Sequence, residues 1–182
     1  MKIPVKYIDT RKYIATVMYD DMADDPTEWG DFTIETFGNH NGISINVDDY
    51  SDDNGKLLQE YQDEVLSGKR FWLDRYEHRA ISYSLTGGGI QCQFDTSNCC
   101  GFIVLDDERI KGDTYERRKE YALEYLDLYN NYINGNVYTV SIKTDTGIEI
   151  DDWCNGFYGS QAINTAIADV IGKDVDCEIC YV

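Results

Sequence analysis

The chain has 182 residues, with 34 acidic side chains against 16 basic ones, so its formal net charge is −18. This balance argues against a protein that grips nucleic acid over a broad surface, because such a surface is cationic. Hydrophobic residues make up 42% of the chain and aromatic residues 13%, with only 2 prolines, which argues against disorder and indicates a folded, acidic protein.

The first third of the chain shows mainly strand patterns. Residues 5–9 and 13–19 predict an opening hairpin. Apolar and polar residues alternate over residues 32–37 and again over residues 42–47, and the turn residues between these segments predict a second hairpin. Leucine, valine and tyrosine at helical spacing then predict a short helix over residues 57–66.

Three further strands are predicted in the middle of the chain, over residues 80–85, 90–94 and 102–105. The first two are joined by three consecutive glycines, Gly87, Gly88 and Gly89. A glycine-rich phosphate loop would need a following Lys-Ser or Lys-Thr pair and a helix, and neither follows here. The glycines therefore predict a tight hairpin.

The last third predicts two helices and a strand pair. An apolar stripe with i, i+3, i+4 and i+7 spacing predicts a helix over residues 114–133, with Asp113 as its cap and Gly135 at its end. Residues 137–143 and 148–150 predict the strand pair, and residues 160–171 the closing helix. We predict an α+β fold over residues 1–182, a single domain of mainly antiparallel strands and hairpins with two or three helices packed on them.

The negative charge is unevenly distributed along the chain. Residues 1–19 carry a net +3, residues 20–64 carry fourteen acids and only Lys56, for −13, and residues 65–182 carry −8. About a quarter of the chain thus holds 13 of the 18 net charges. We expect residues 20–64 to contain the strongly acidic, hairpin-rich part of the fold.

The six cysteines are expected to be reduced thiols. No apolar run approaches a membrane span and the first residues do not resemble a signal peptide, so we expect a cytoplasmic protein with no membrane partner. Cys177 and Cys180 have the spacing of half a zinc site. Cys99 and Cys100 are poor candidates for the other half, because adjacent side chains on a strand point to opposite faces. Buried or incidental thiols are favoured, with zinc as the alternative.

Other chemistry receives little support from the sequence. His40 lies in a turn and His78 in a charged run, where solvated histidines are common. Residues 48–55 loosely resemble a calcium loop, but the closest register places Tyr50 at a ligand position. We predict no catalytic residue, no cofactor and no metal, while calcium or zinc binding at these sites stays open.

The carboxylates themselves are the candidate site. Duplex DNA carries one negative charge per ~1.7 Å, so a charge of −13 corresponds to roughly six or seven base pairs. Carboxylates on turns can occupy phosphate positions and meet Arg and Lys in the DNA channel of a nuclease. The alternative is that acidic loops serve solubility alone. The candidate partner-binding residues are Asp20, Asp21, Asp24, Asp25, Asp48, Asp49, Asp52 and Asp53.

Four segments together carry a resemblance over nearly the whole chain. They are DPTEWG at 25–30, the strand 81–85 leading into FDTSNCCGFI at 94–103, YNNYINGNVY at 129–138, and DDWCNGFYG at 151–159. In this order they resemble a family of small phage and mobile-element proteins of Gram-positive hosts. Together with the length and acidity, the chain resembles the type II-A anti-CRISPR proteins of that family.

The resemblance implies a non-enzymatic inhibitor, acting in the bacterial cytoplasm, that binds a type II CRISPR nuclease with its guide RNA and blocks target DNA cleavage. It implies no catalytic residues. Acidic DNA mimicry is one mechanism. Allosteric inhibition, or co-binding of DNA with the nuclease through a basic patch such as Arg117, Arg118 and Lys119, is the alternative. A metal-dependent phage enzyme acting on a nucleotide or second messenger is the alternative from another class.

Overall fold

The structure is a computed structural model that describes residues 12–38, 40–173 and 175–182, without the side chains of residues 151–153. Its contacts divide into two compact units. The central unit is Asp24–Asn134, and the terminal unit joins the described residues up to Ala23 with Gly135–Val182. The prediction of a single domain stays a prediction, and each unit is described by itself.

Helices and mainly antiparallel strands confirm the predicted α+β class. The strands are β1 (Tyr13–Tyr19), β2 (Phe32–Phe37), β3 (Ile43–Ile45), β4 (Arg70–Glu77), β5 (Ile81–Leu85), β6 (Thr96–Leu105), β7 (Val137–Thr144), β8 (Glu149–Tyr158) and β9 (Cys177–Tyr181). The α-helices are α1 (Gln59–Ser67), α2 (Tyr115–Ile133) and α3 (Ser160–Ile171). Short 3₁₀ helices lie at Pro26–Trp29, Val47–Asp49 and Glu108–Ile110.

The central unit is a five-stranded sheet in the order β3-β2-β6-β4-β5. One face of this sheet packs on α2, whose predicted apolar stripe is buried there. The ring of Phe32 stacks on Tyr125 at 4.8 Å and meets Tyr129 edge-on at 6.5 Å. Because side chains alternate along a strand, the opposite face carries the residues between the core positions, and the candidate site lies on that face.

The terminal unit is a four-stranded sheet in the order β8-β7-β1-β9, covered by α3. β1 pairs antiparallel with β7 and parallel with β9. Ile163 and Ile167 of α3 are buried against Val17 and Val140 of the sheet. The predicted strand pair and closing helix are confirmed, whereas β9 was not predicted. The predicted strand at residues 5–9 lies outside the described residues.

The prediction of an antiparallel hairpin at residues 32–47 is wrong. β2 and β3 pair in parallel, with Glu35 opposite Ile43 and Phe37 opposite Ile45. The intervening loop runs back along β2 before β3 begins, which brings the chain close to Ile34. Gly42 makes this return possible, because its φ is +112° and a Cβ at this position would lie 2.7 Å from the Ile34 carbonyl oxygen.

The prediction of a strand over residues 90–94 is also wrong. Residues 90–92 have no regular secondary structure and residues 93–95 form a turn, so the glycines join β5 to a loop. The long strand β4 was not predicted. Its alternation is broken at Arg75, which follows Phe71 and Leu73 at the next core-facing position, and the charged Arg70 and Asp74 of its other face are buried as well. The strand therefore buries charges that a sequence pattern does not mark as interior.

The predicted helices of the central unit are confirmed with small corrections. The helix expected at residues 57–66 is α1, and the helix expected at 114–133 is α2. Its cap is Thr114 rather than Asp113, because the Thr114 hydroxyl accepts a hydrogen bond from the Arg117 N–H at 3.3 Å. Among the described residues, no helix is both long enough and apolar enough to cross a membrane.

Candidate functional site

The eight candidate aspartates are divided between the two units. Asp20 and Asp21 belong to the terminal unit, and the other six belong to the central unit. Asp20 accepts hydrogen bonds from the Met22 N–H at 3.1 Å and from the Gly156 N–H at 3.2 Å. Its carboxylate is therefore engaged in shaping the chain that follows β1, which weakens its case as a partner contact.

Asp25 also has a structural role. It caps the 3₁₀ helix at Pro26–Trp29, where its carboxylate accepts from the Thr27 N–H at 2.9 Å and from the Thr27 hydroxyl at 2.8 Å. Asp24 and Asp21 are exposed. Half of the candidate set thus lies in or beside local turns, and the structure brings the other half together in one loop.

The acidic loop, residues 46–57, contains the remaining four aspartates. Asp52 closes its turn, because one carboxylate oxygen accepts from the N–H groups of Asn54 and Lys56 at 2.9 Å each. Both bonds lower the pKa of Asp52, and the bond from the Lys56 N–H has the larger effect. Asp48, Asp49 and Asp53 are exposed on the same loop. The loop therefore divides its acids into one that shapes it and three that face outward.

Tyr50 fastens the acidic loop to the sheet. Its ring stacks on Tyr61 of α1 at 4.4 Å and on Phe102 of β6 at 5.9 Å, and it meets Phe37 edge-on at 6.2 Å. Its hydroxyl donates to Glu35 at 3.3 Å. Because Tyr50 directly follows Asp49 in the chain, this aromatic anchor holds the exposed acids in place.

Arg70 lies beneath this aromatic cluster as a buried cation. Its guanidinium lies 4.9 Å from the Phe102 ring, 5.1 Å from Tyr61 and 5.4 Å from Tyr50. It forms ion pairs with Glu35 and, at 2.9 Å, with Glu64, and its side chain is only 6% exposed.

Burial lowers the pKa of Arg70, but hydrogen bonds to the two carboxylates more than reverse that effect. Arg70 is the site residue that sequence reasoning missed. The alternation of Arg70, Trp72 and Asp74 with the apolar Phe71 and Leu73 was the signal that could have found it.

Helix α1 extends the acidic surface. Residues 46–64 carry seven acids and one base, Lys56, for a net charge of −6. Glu60 and Asp63 of α1 are exposed, whereas Glu64 is engaged with Lys69 at 2.8 Å and with Arg70. The acidic loop and α1 together form a negative surface on a rigid aromatic base.

The alternative sites are less well formed. Within the described residues, no group of three or more His, Cys, Asp or Glu side chains could hold a metal ion. Cys177 and Cys180 are three residues apart on β9, so their side chains point to opposite faces. In the basic patch, Arg117 pairs with Glu120 at 2.6 Å, and Arg118 donates to the Ser67 carbonyl oxygen at 3.2 Å. Two of the three cations of the basic patch therefore already have partners within the protein.

Comparisons of the chain with protein-family models, curated proteins and solved structures find no match.

Proposed function

We propose that this protein inhibits a type II CRISPR nuclease carrying its guide RNA, and that the acidic loop occupies a cationic DNA-binding surface of that nuclease. The proposal rests on the family resemblance of the sequence and on the charge of the acidic surface. The protein competes with DNA phosphates for Arg and Lys side chains, and the guide RNA leaves only the exposed part of the basic channel for it to bind.

One observation carries this proposal: Asp48, Asp49 and Asp53 are exposed on a loop that is fastened to the sheet through Tyr50, whose ring packs on aromatic neighbours and on the Arg70 guanidinium. A flexible acidic segment would lose conformational freedom on binding, whereas a preorganised one avoids most of that cost. Solubility alone requires negative charge but does not require a buried guanidinium and stacked rings beneath it. The structure is thus well suited to presenting these three carboxylates to a partner.

The test reverses the charge of the three exposed acids in Asp48→Lys/Asp49→Lys/Asp53→Lys. Asp52 is left unchanged because its carboxylate closes the turn. Since like charges facing each other cost several kcal/mol, we expect binding to the nuclease–guide complex to weaken by about 100-fold or more. Binding is measured by interferometry, and inhibition by cleavage of a matched target DNA.

The matched control is Asp113→Lys/Glu124→Lys/Asp127→Lys, which makes the same change of +6 at exposed positions of the same unit. We expect the control to bind within about threefold of the wild type, because exposed charges away from an interface are largely screened. Equal losses in both variants would show that only total charge matters. Full inhibition by the loop variant would remove the acidic loop from the mechanism.

DNA competition distinguishes mimicry from the alternative mechanisms. We expect target DNA and the inhibitor to exclude each other from the nuclease, and the affinity of the inhibitor to fall steeply from about 0.05 M to about 0.2 M salt. A stable complex containing nuclease, inhibitor and DNA together would instead support allosteric inhibition or co-binding of DNA.

A further inference from the structure

A second loop is anchored to the same face of the sheet as the acidic loop. Phe71 and Leu73 of β4 are buried in the core beneath α2, so Arg70, Trp72 and Asp74 lie on the opposite face. Arg70 holds the acidic loop at one end of this row. Asp74 lies four residues further, at roughly 13 Å by the rise of a strand, and holds the second loop, residues 86–95, together with Cys99 at the start of β6.

Asp74 is a buried carboxylate that accepts hydrogen bonds from across this loop. It is 1% exposed and receives the Thr86 hydroxyl, the Gly87 N–H and the Cys99 N–H at 2.9 Å each, and the Gln91 amide at 3.1 Å. Burial by itself would raise the pKa of Asp74, but these donors outweigh it and the pKa lies below its ordinary value. The first half of the loop and the adjoining strand β6 are thereby fastened to β4.

The middle of the loop is held just as firmly. The Thr96 hydroxyl donates to the Ile90 carbonyl oxygen at 2.9 Å and accepts from the Cys92 N–H at 2.9 Å. The Thr96 N–H closes the turn on the Cys92 carbonyl oxygen at 3.0 Å, and the Asp95 carbonyl oxygen accepts from the Glu77 N–H at 2.9 Å. These bonds enclose the apex, residues 93 and 94, in a hydrogen-bonded turn.

That apex places an aromatic side chain in water. Phe94 is 89% exposed, and Ile90 on the same loop is also exposed. Aromatic side chains bury ~150–250 Å² when they enter a pocket and are frequent anchors of protein interfaces. A rigid loop that exposes one therefore has the form of a docking element.

We propose that Phe94 and Ile90 insert into an apolar pocket on the same nuclease surface whose basic residues receive the acidic loop. This inference rests on the proposed function. Charge complementarity selects the occupant, because the acidic loop on the same sheet face attracts a cationic protein and repels a second, equally acidic copy of this chain. In this interface Phe94 contributes binding affinity, whereas the aspartates of the acidic loop attract the nuclease and fix the relative position of the two surfaces.

The test is Phe94→Ala, measured against the nuclease–guide complex at several salt concentrations. We expect at least about 30-fold weaker binding, as for an interface hot spot, with an unchanged salt dependence, because no charge is removed. Leu123→Ala is the matched control, since Leu123 is also exposed but lies on α2, which covers the opposite face of the same sheet. It should bind like the wild type, and Phe94→Ala should retain the wild-type melting temperature.

The outcomes distinguish this inference from the proposed function. Wild-type binding by Phe94→Ala, together with loss of binding in the acidic-loop variant, would overturn the docking role and leave the proposed function intact. Absence of binding by the wild type itself would overturn both. Self-association of the wild type that Phe94→Ala abolishes, measured by sedimentation, would assign the loop to a contact between copies and overturn the inference as well.

Discussion

Replacement of Arg70 by alanine tests whether the buried cation holds the acidic surface together. The substitution removes the guanidinium that lies between Glu35 and Glu64 and under three aromatic rings. It leaves Glu35, 18% exposed, without this counter-charge, and Glu64, 26% exposed, with Lys69 as its remaining partner. Glu35 would have to gain water or a proton, and either change loosens the contact between the acidic loop and the sheet.

The expected cost follows from this geometry. Breaking a buried ion pair costs about 3–5 kcal/mol of unfolding free energy, and the partial exposure of both carboxylates places Arg70→Ala near the lower end, at about 3 kcal/mol. Lys111→Ala removes a cation from a surface pair with Glu108, in which Lys111 is 75% exposed. That exposed pair contributes less than about 1 kcal/mol, so Lys111→Ala is the matched control.

The assay is urea unfolding followed by fluorescence, together with hydrogen exchange of the acidic loop. We expect Arg70→Ala to lower the unfolding free energy by about 3 kcal/mol and to speed exchange of the Asn54 and Lys56 amides, which Asp52 protects. A loss below about 1 kcal/mol, equal to that of Lys111→Ala, would refute the anchoring role of Arg70.

Two further predictions test local features of the central unit. Because the folded-state pKa of Asp74 is depressed, its carboxylate stabilises the fold above its unfolded pKa, ~3.9, and this contribution is lost as the pH falls through the folded pKa. In acid unfolding, Asp74→Asn should therefore flatten the loss of stability below about pH 4, and an unchanged profile would contradict this. Thr114→Ala should cost about 1 kcal/mol in thermal unfolding because it removes the α2 cap, whereas Asp113→Ala should cost little. A larger loss of stability in Asp113→Ala than in Thr114→Ala would identify Asp113 as the cap.

The parts of the fold that were predictable depend on local patterns. The stripe of Ala122, Tyr125, Leu126 and Tyr129 predicted α2, and all four side chains are buried. The strand pair around residues 145–147 and the closing helix also follow from periodicity and turn residues. Each of these features is determined by interactions between residues close together in the chain, so its pattern is visible in the sequence.

The parts that were not predictable depend on contacts between distant residues. Arg70 is tolerated as a buried residue at the start of β4 because Glu35, thirty-five residues earlier, supplies a counter-charge together with Glu64. Asp74 is buried because the loop after β5 brings three donors to it and Cys99 of β6 brings a fourth. β2 and β3 pair in parallel because Gly42 allows the chain to pass close to Ile34. No regular spacing of residues in the sequence indicates which of these distant residues contact each other.

The sequence by itself determined the acidity of the protein and its concentration in residues 20–64, because formal charge depends only on the residue types and their order. Only the tertiary structure decided what each carboxylate does. Asp52 closes a turn, Asp74 fastens a loop, and Asp48, Asp49 and Asp53 are left facing water. The reason is that an acid is engaged or exposed according to the donors that the fold brings within about 3 Å of it, and those donors come from other strands and loops.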